Sequence, residues 1–240
     1  MSGFAGNLMR LDKAISLAKN ISRSTARSLI IRGDVRLNGV LVRDAAAHVD
    51  ESSAIELAGS LMCAIEPGHQ YMMYHKMLGE VCSREDAHHP LVFRHFEENR
   101  RHPLMTVGRL DQDTTGLLLL TTDGLWSHRV RRPGSHPKCY EVSLSESCSP
   151  SGAEEVMQQM RAGVILHNEV KPVCVRRMEQ MTDRRFRLWI DEGRYHVVRR
   201  LWAALGFHVV GLHRVSVGML NLDVEPGNWR SLSAAEIALF

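Results

Sequence analysis

The chain has 240 residues, is 44% hydrophobic and 24% charged, and carries a net charge of +3, which is the composition of a soluble globular protein with room for one large domain and a small one. No apolar run approaches the roughly 18 residues of a membrane span, and the start MSGFAGNLMR lacks the apolar core of a signal peptide, so the expected compartment is the cytoplasm. The five cysteines form no CxxC pair, and His88, His89 and His95 have no Cys, Asp or Glu completing a ligand spacing, so neither a metal nor a disulfide framework is expected.

The charge is uneven. Met9 to Arg43 holds eight basic residues against Asp12 and Asp34, a local charge of +6 that leaves −3 for the rest of the chain. A basic module on a mildly acidic body suggests a grip on a polyanion. Within it, Leu11, Ala14, Ile15 and Ala18 recur at helical spacing. Ser22 is placed to cap a second helix with Ala26, Leu29 and Ile30 on its apolar side, and Gly33 to stop it. Val35 and Leu37, then Asn38-Gly39, then Val40 and Val42 read as a hairpin. Arg23 and Arg27, four apart, share one helix face.

The pattern of this segment breaks between Ala58 and Gly68, where Glu66-Pro67-Gly68 punctuates the chain. The boundary is placed near residue 60, giving domains 1–60 and 61–240. Beyond it, Tyr71–Lys76 reads as a strand, Leu117–Leu120 as an inner strand, and Gly124–Val130 as a short helix. Lys138–Leu144 alternates as a strand with Tyr140, Val142 and Leu144 on one face. Glu154–Arg161 is helical, and Arg185–Ile190 is a strand presenting Phe186, Leu188 and Ile190. Tyr195–Leu205 reads as a helix closed by Gly206, Phe207–Val217 as a strand, and Ser233 to Glu236 as a capping box. The expected body is α+β with a mixed, mostly antiparallel sheet.

The stretch GRLDQDTTGLLLLTTDG, Gly108 to Gly124, sets Asp111 beside Arg109 at the mouth of the inner strand. A carboxylate so held is poised as a nucleophile, because a nearby guanidinium favours its ionised form. Asp113 reads as a cap of loop N–H groups and Asp123-Gly124 as a turn and helix start. Trp126, Trp189, Trp202 and Trp229 are assigned to packing.

Met9 to about Asp50, through RLDKAIS and SRSTARSLIIRGDVRLNG, resembles an S4 RNA-binding domain. The resemblance implies RNA contacts by Arg10, Lys13, Arg23, Arg27, Arg32 and Arg36, of the phosphate kind that positions without reading sequence. GRLDQDTTGLLLLTTDG resembles the active-site motif of pseudouridine synthases of the RsuA, RluB, RluE and RluF group. YHKMLGEVCS, KCYEV, LHNE and DEGRYHVVRRLWAALGFHVVGLHR match further segments of that family in order.

The resemblance implies a catalytic trio: Asp111 as nucleophile, Tyr140 as the platform for a flipped base, and Arg199 as the partner of Asp111, better placed than the adjacent Arg109. Lys76, Arg109, Arg194 and Arg200 are the implied RNA contacts of the body. The isomerisation gains and loses no atoms, so no cofactor is implied. The family's usual Asn-Lys-Pro is His75-Lys76-Met77 here, and Val197 and Leu201 stand where glutamine and methionine are common.

The S4 module argues against the RluE type, which lacks one. The resemblance as a whole implies an RsuA-type enzyme on 16S ribosomal RNA, free or in a small-subunit assembly particle, able to work as a monomer. The alternatives are a large-subunit (23S) synthase of the RluB or RluF type and a non-catalytic RNA-binding assembly factor.

Overall fold

The protein's structure, a computed structural model, describes residues 9–19, 21–50, 53–61, 69–96 and 104–240. The first eight residues, Cys63 and the Glu66-Pro67-Gly68 punctuation lie outside them. The chain forms two compact units. The described residues up to 61 fall in the first; Gln70 to Phe96 and Leu104 to Phe240 form the second. No helix among the described residues is long and apolar enough to cross a membrane.

The first unit runs β1 (Met9–Arg10), α1 (Leu11–Lys19), α2 (Arg23–Arg32), β2 (Val35–Leu37), β3 (Val40–Leu41), β4 (His48–Val49), β5 (Ile55–Leu57) and β6 (Ser60–Leu61). Leu11, Ala14 and Ile15 of α1 bury against Ala26 and Ile30 of α2, with Val35, Val49 and Ile55 completing the core. Ala18, expected in that stripe, lies in the last turn of α1 and is exposed. The Thr25 N–H donates to the Ser22 hydroxyl over 3.1 Å, which starts α2, and Gly33 ends it at φ 91°. Asn38 and Gly39 both take positive φ (51° and 78°), as the two-residue turn between β2 and β3 requires. The small sheet has the order β3-β2-β5-β6, and β1 pairs with β4.

The second unit holds β7 (Tyr71–Lys76), β8 (Met105–Thr106), β9 (Thr115–Thr121), α3 (Gly124–Arg131), β10 (Lys138–Leu144), α4 (Pro150–Ala162), β11 (Val175–Gln180), β12 (Arg185–Ile190), α5 (Val197–Ala204), β13 (Val209–Val217), β14 (Leu220–Asn221), β15 (Trp229–Ser231) and α6 (Ala234–Ile237). Its sheet runs β11-β12-β10-β13-β9-β7-β15, with β14 beside β13 and β8 beside β9. All pairings are antiparallel except β9 with β13.

Both faces of this sheet are covered, which explains the unbroken Leu117–Leu120 run in β9. Leu118 and Leu120 point into the larger core with Val156 and Met160 of α4 and Leu201 and Trp202 of α5. Leu117 and Leu119 point into the other, with Trp126 of α3 and Leu232. Trp126 and Trp202 are fully buried, Trp229 packs at the edge of the larger core, and the Arg177 guanidinium lies over the Trp189 ring.

Gly116 shows why β9 and β13 can lie side by side. Its φ is +107°, and a Cβ there would meet the Arg214 carbonyl oxygen at 2.3 Å. Only glycine lets the two backbones approach so closely.

One helix starts later than its periodicity predicts. The pattern runs from Tyr195, but α5 begins at Val197, because His196 sits in the left-handed region at φ 48°, ψ 31°. The chain before it is anchored elsewhere: Arg194 donates to Glu169, to the Lys171 carbonyl and to the Pro172 carbonyl. These tertiary ties override the local apolar repeat. α4 is longer than expected, since the Ser149 hydroxyl accepts from the Gly152 N–H and Pro150 opens the first turn.

Candidate active site

Asp111 stands in the loop that enters β9, and that loop is pinned from behind. Lys76, at the end of β7, is fully buried and donates to the carbonyls of Thr114 (2.8 Å), Met77 (3.1 Å) and Gln112 (3.4 Å). The Gly79 N–H donates to the Gln112 carbonyl over 2.9 Å, and the Cys82 thiol reaches the Leu110 carbonyl at 3.5 Å. The Thr114 N–H closes the turn onto the Asp111 carbonyl at 3.1 Å. Asp111 is thus a half-buried carboxylate whose backbone is fixed on both sides.

This geometry corrects the reading of Lys76 as an RNA contact. Its ammonium is turned inward onto three carbonyls and has no exposed surface from which to meet a phosphate. Burial pushes its pKa down, while the charges of Cys82, Glu80, Asp111 and Asp113 pull it back toward the charged form.

The segment around Lys76 is itself braced. Glu80 is fully buried; it accepts from the Tyr74 hydroxyl (2.6 Å) and the Met77 N–H (3.1 Å), and it pairs with His95 and with Arg94 (3.3 Å). Burial drives the Tyr74 hydroxyl well above the usual phenol range, and the hydrogen bond to Glu80 adds to it. The His75-Lys76-Met77 turn therefore holds its shape through a carboxylate clamp without a proline.

The partner of Asp111 is also corrected. Arg199 does not pair with it. Its Nη2 meets the Asp113 carboxylate at 3.0 Å and the Asp113 carbonyl at 2.9 Å, and its Nη1 meets the Val209 carbonyl at 2.9 Å. Asp113 is accordingly an ion-pair partner, not a cap of loop N–H groups. The side chain that reaches Asp111 is His196, whose Nε2 lies 3.4 Å from Oδ1. The left-handed backbone at His196 aims its ring at the loop, while Arg199, one turn into α5, grips the loop two residues further on. The sequence signal for His196 lay in the EGRYH stretch, but a continuous helix from Tyr195 would have pointed its ring elsewhere.

Tyr140 lies in β10 with its ring in the larger core, and its hydroxyl has no hydrogen-bond partner among the described residues. It pairs across β13 with Arg214, which pairs in turn with Gly116 of β9. Arg214 is buried, donates from Nε to the Leu117 carbonyl at 2.8 Å, and went unassigned from sequence although it closes the GLHR stretch. Burial raises the Cys82 thiol pKa, and the positive charges of Lys76, Arg214 and Arg109 draw it back down. Arg109 itself is exposed and carries no ion pair among the described residues.

Arg194 and Arg200 converge on Glu169, each at 2.7 Å, and Arg200 also donates to the His167 carbonyl. Their guanidinium groups lock the 166–172 loop to the start of α5, and most of their donors are committed there. In the first unit, the buried Asp12 takes Arg10 (3.1 Å) and Arg23 (2.8 Å). Burial alone would raise its carboxyl, but those two hydrogen bonds outweigh it and hold the group below the ordinary range. Arg32 pairs with Asp34, and Arg36 donates to the Gly39 carbonyl. Lys13 and Arg27 carry no ion pair among the described residues.

The chain's similarities to known proteins agree with this layout. The family model described as RNA pseudouridylate synthase matches residues 70–204, and that of the S4 domain matches residues 9–55. The chain is 40% identical over 235 residues to the ribosomal small subunit pseudouridine synthase A of Pasteurella multocida, covering 97% of this chain and 99% of the relative. It is 42% identical over 236 residues to the protein of the same name from Escherichia coli K12, covering 96% and 99%. A crystal structure of a pseudouridylate synthase superposes with a TM-score of 0.69 at 37% identity, over 97% of this chain and all of the other.

Proposed function

The chain belongs to the RNA pseudouridylate synthase family and carries an S4 domain, and on that premise we propose that it converts one uridine of 16S ribosomal RNA to pseudouridine with Asp111 as the nucleophile. The reaction breaks the bond from N1 to C1′, turns the freed base, and joins C5 to C1′; the C5 proton leaves and the freed N1 takes one up, so the product is an isomer of the substrate. The bond that the carboxylate forms with the nucleotide is broken again before release, so the protein supplies a regenerated nucleophile, a held base and a proton acceptor. The target base must leave its stack to be reached.

The observation that carries this reading is the fixed carboxylate of Asp111 on a loop that Lys76, Gly79 and Cys82 pin from one side and Arg199 from the other. Pinning matters because a nucleophile held near its attack geometry saves the entropy of finding it. Arg199 serves the reaction by placing the loop through Asp113. His196 faces the carboxylate directly, and Tyr140 offers, beside a buried ring, a hydroxyl with no hydrogen-bond partner among the described residues. The S4 unit holds the RNA by its phosphates. The small-subunit target rests on the two relatives at 40% and 42% identity, whose names specify that subunit.

The test is release of tritium from RNA labelled at C5 of uridine, measured on 16S and 23S transcripts and on small-subunit particles. Wild-type protein is expected to release label from 16S RNA, and Asp111→Asn to lower the rate by about 10⁴-fold or more. Undiminished release by Asp111→Asn sinks the nucleophile. Release from 23S RNA alone moves the enzyme to the large subunit, and release from no RNA favours a non-catalytic assembly factor.

A further inference from the structure

A second aromatic surface lies beside the site. Tyr195 is 72% exposed, and its ring stacks on that of His196 with centroids 3.9 Å apart and planes 17° from parallel. His196 in turn faces Asp111 at 3.4 Å. The left-handed backbone of His196 creates this arrangement, because it breaks the helix and brings two successive rings face to face. A tyrosine stacked on one face has a fixed plane and an open second face, and no other ring among the described residues contacts it.

Tyr195 also lines an open cavity of about 650 Å³, whose walls include His167, Asn168 and Lys171. The His167 and Lys171 side chains are exposed and have no hydrogen-bond partner among the described residues. The floor is rigid: Glu169 is clamped by Arg194 and Arg200, which neutralise its charge toward any anion entering the cavity. A flat aromatic face, two free basic groups and a neutralised carboxylate are the components of a nucleotide site, the ring for a base and the basic groups for its phosphate.

We infer that Tyr195 is the stacking platform for a nucleotide next to the target uridine, with Lys171 and His167 on its phosphate. This rests on the proposed reaction at Asp111, since it places a neighbouring nucleotide beside the one being isomerised. Stacking on the outer face of Tyr195 continues the pile of His196 and Tyr195 away from Asp111. The neighbour is then unstacked from the target, which is the condition the target needs to turn into the site. Base stacking on an aromatic ring tolerates any base, so Tyr195 contributes affinity and registration, and base identity is left to other contacts.

The test uses the full-length protein and a 16S fragment whose modified uridine has first been located. Tyr195→Ala is expected to raise KM by about 5- to 150-fold with kcat within about twofold, while Tyr195→Phe and Tyr195→Trp stay near wild type. An abasic nucleotide on one side of the target is expected to raise the wild-type KM comparably and to add nothing in Tyr195→Ala, the non-additivity of two partners in one contact. An unchanged KM in Tyr195→Ala overturns the inference, and so do additive losses or a fall in kcat alone, which would make Tyr195 a support for His196. Wild-type protein that forms no pseudouridine at all instead overturns the proposed reaction, and the inference falls with it.

Discussion

A fully buried ammonium must be held by acceptors, and Lys76 is held by three carbonyls of the two loops that frame Asp111. Lys76→Met keeps much of the length and removes the donors, so the carbonyls of Gln112 and Thr114 lose their tie. The expected outcome is a lower kcat and a lower Tm, with KM for RNA and its salt dependence unchanged. A raised KM with unchanged kcat would instead mark the lysine as an RNA contact. Sequence separated these alternatives poorly. A lysine next to a turn reads as exposed, and its burial follows from the pairing of β7 with β9, a contact between residues about forty positions apart. The same limit applies to Arg199. Its place in the motif was legible, but whether it reached Asp111 or Asp113 depended on where α5 begins. That start was displaced by the anchoring of Arg194 on Glu169.

At the scale of elements the sequence was more informative, because local patterns set them. β7 spans the residues expected of it, β10 and β12 run as their alternation predicts, and Ser22, Asp123 and Ser233 each cap the helix expected of them. The last of these has a pH consequence. Glu236 closes the capping box of α6 on Ser233, and Arg230 bonds it at 2.6 Å while also holding Asp223. The Arg230 hydrogen bond, then the Ser233 N–H, lower the Glu236 pKa from 4.5 to about 2. Because the folded pKa is the lower one, the stabilisation is full above about pH 4.5 and is lost as the pH falls toward 2. Tm measured from pH 7 down to 3 is expected to fall more steeply for wild type than for Glu236→Gln, with the two curves converging at the acid end. Parallel curves would show that the pair contributes nothing to folding.

For the whole molecule, the uneven charge seen in the sequence becomes a division of labour. Within the basic first unit, Arg10, Arg23 and Arg32 are paired with Asp12 or Asp34, and Lys13 and Arg27 are not. Net charge alone gave no hint of that split, since Asp12 reads as one of two stray acids and in fact sits buried as the hub of two arginines. Lys13→Ala and Arg27→Ala are each expected to lower the slope of log K against log salt for RNA by about 0.7–0.9, the signature of one lost phosphate contact. Arg10→Ala is expected to act mainly through Tm, by taking one of two partners from a buried carboxylate. Equal slopes for all three variants and wild type would remove this face of the unit from the RNA interface.

The parallel strand pair makes the body depend on one narrow seam. Among the described residues, β13 alone lies between β9, which Asp111 precedes, and β10, which carries Tyr140. Both halves of the sheet therefore take their mutual position from the Val209–Val217 backbone. A methyl group at position 116 would collide with the Arg214 carbonyl oxygen at 2.3 Å and wedge that seam open. The smallest possible change of side chain, made where no substrate need ever touch, would thus put the carboxylate and the tyrosine out of a common frame.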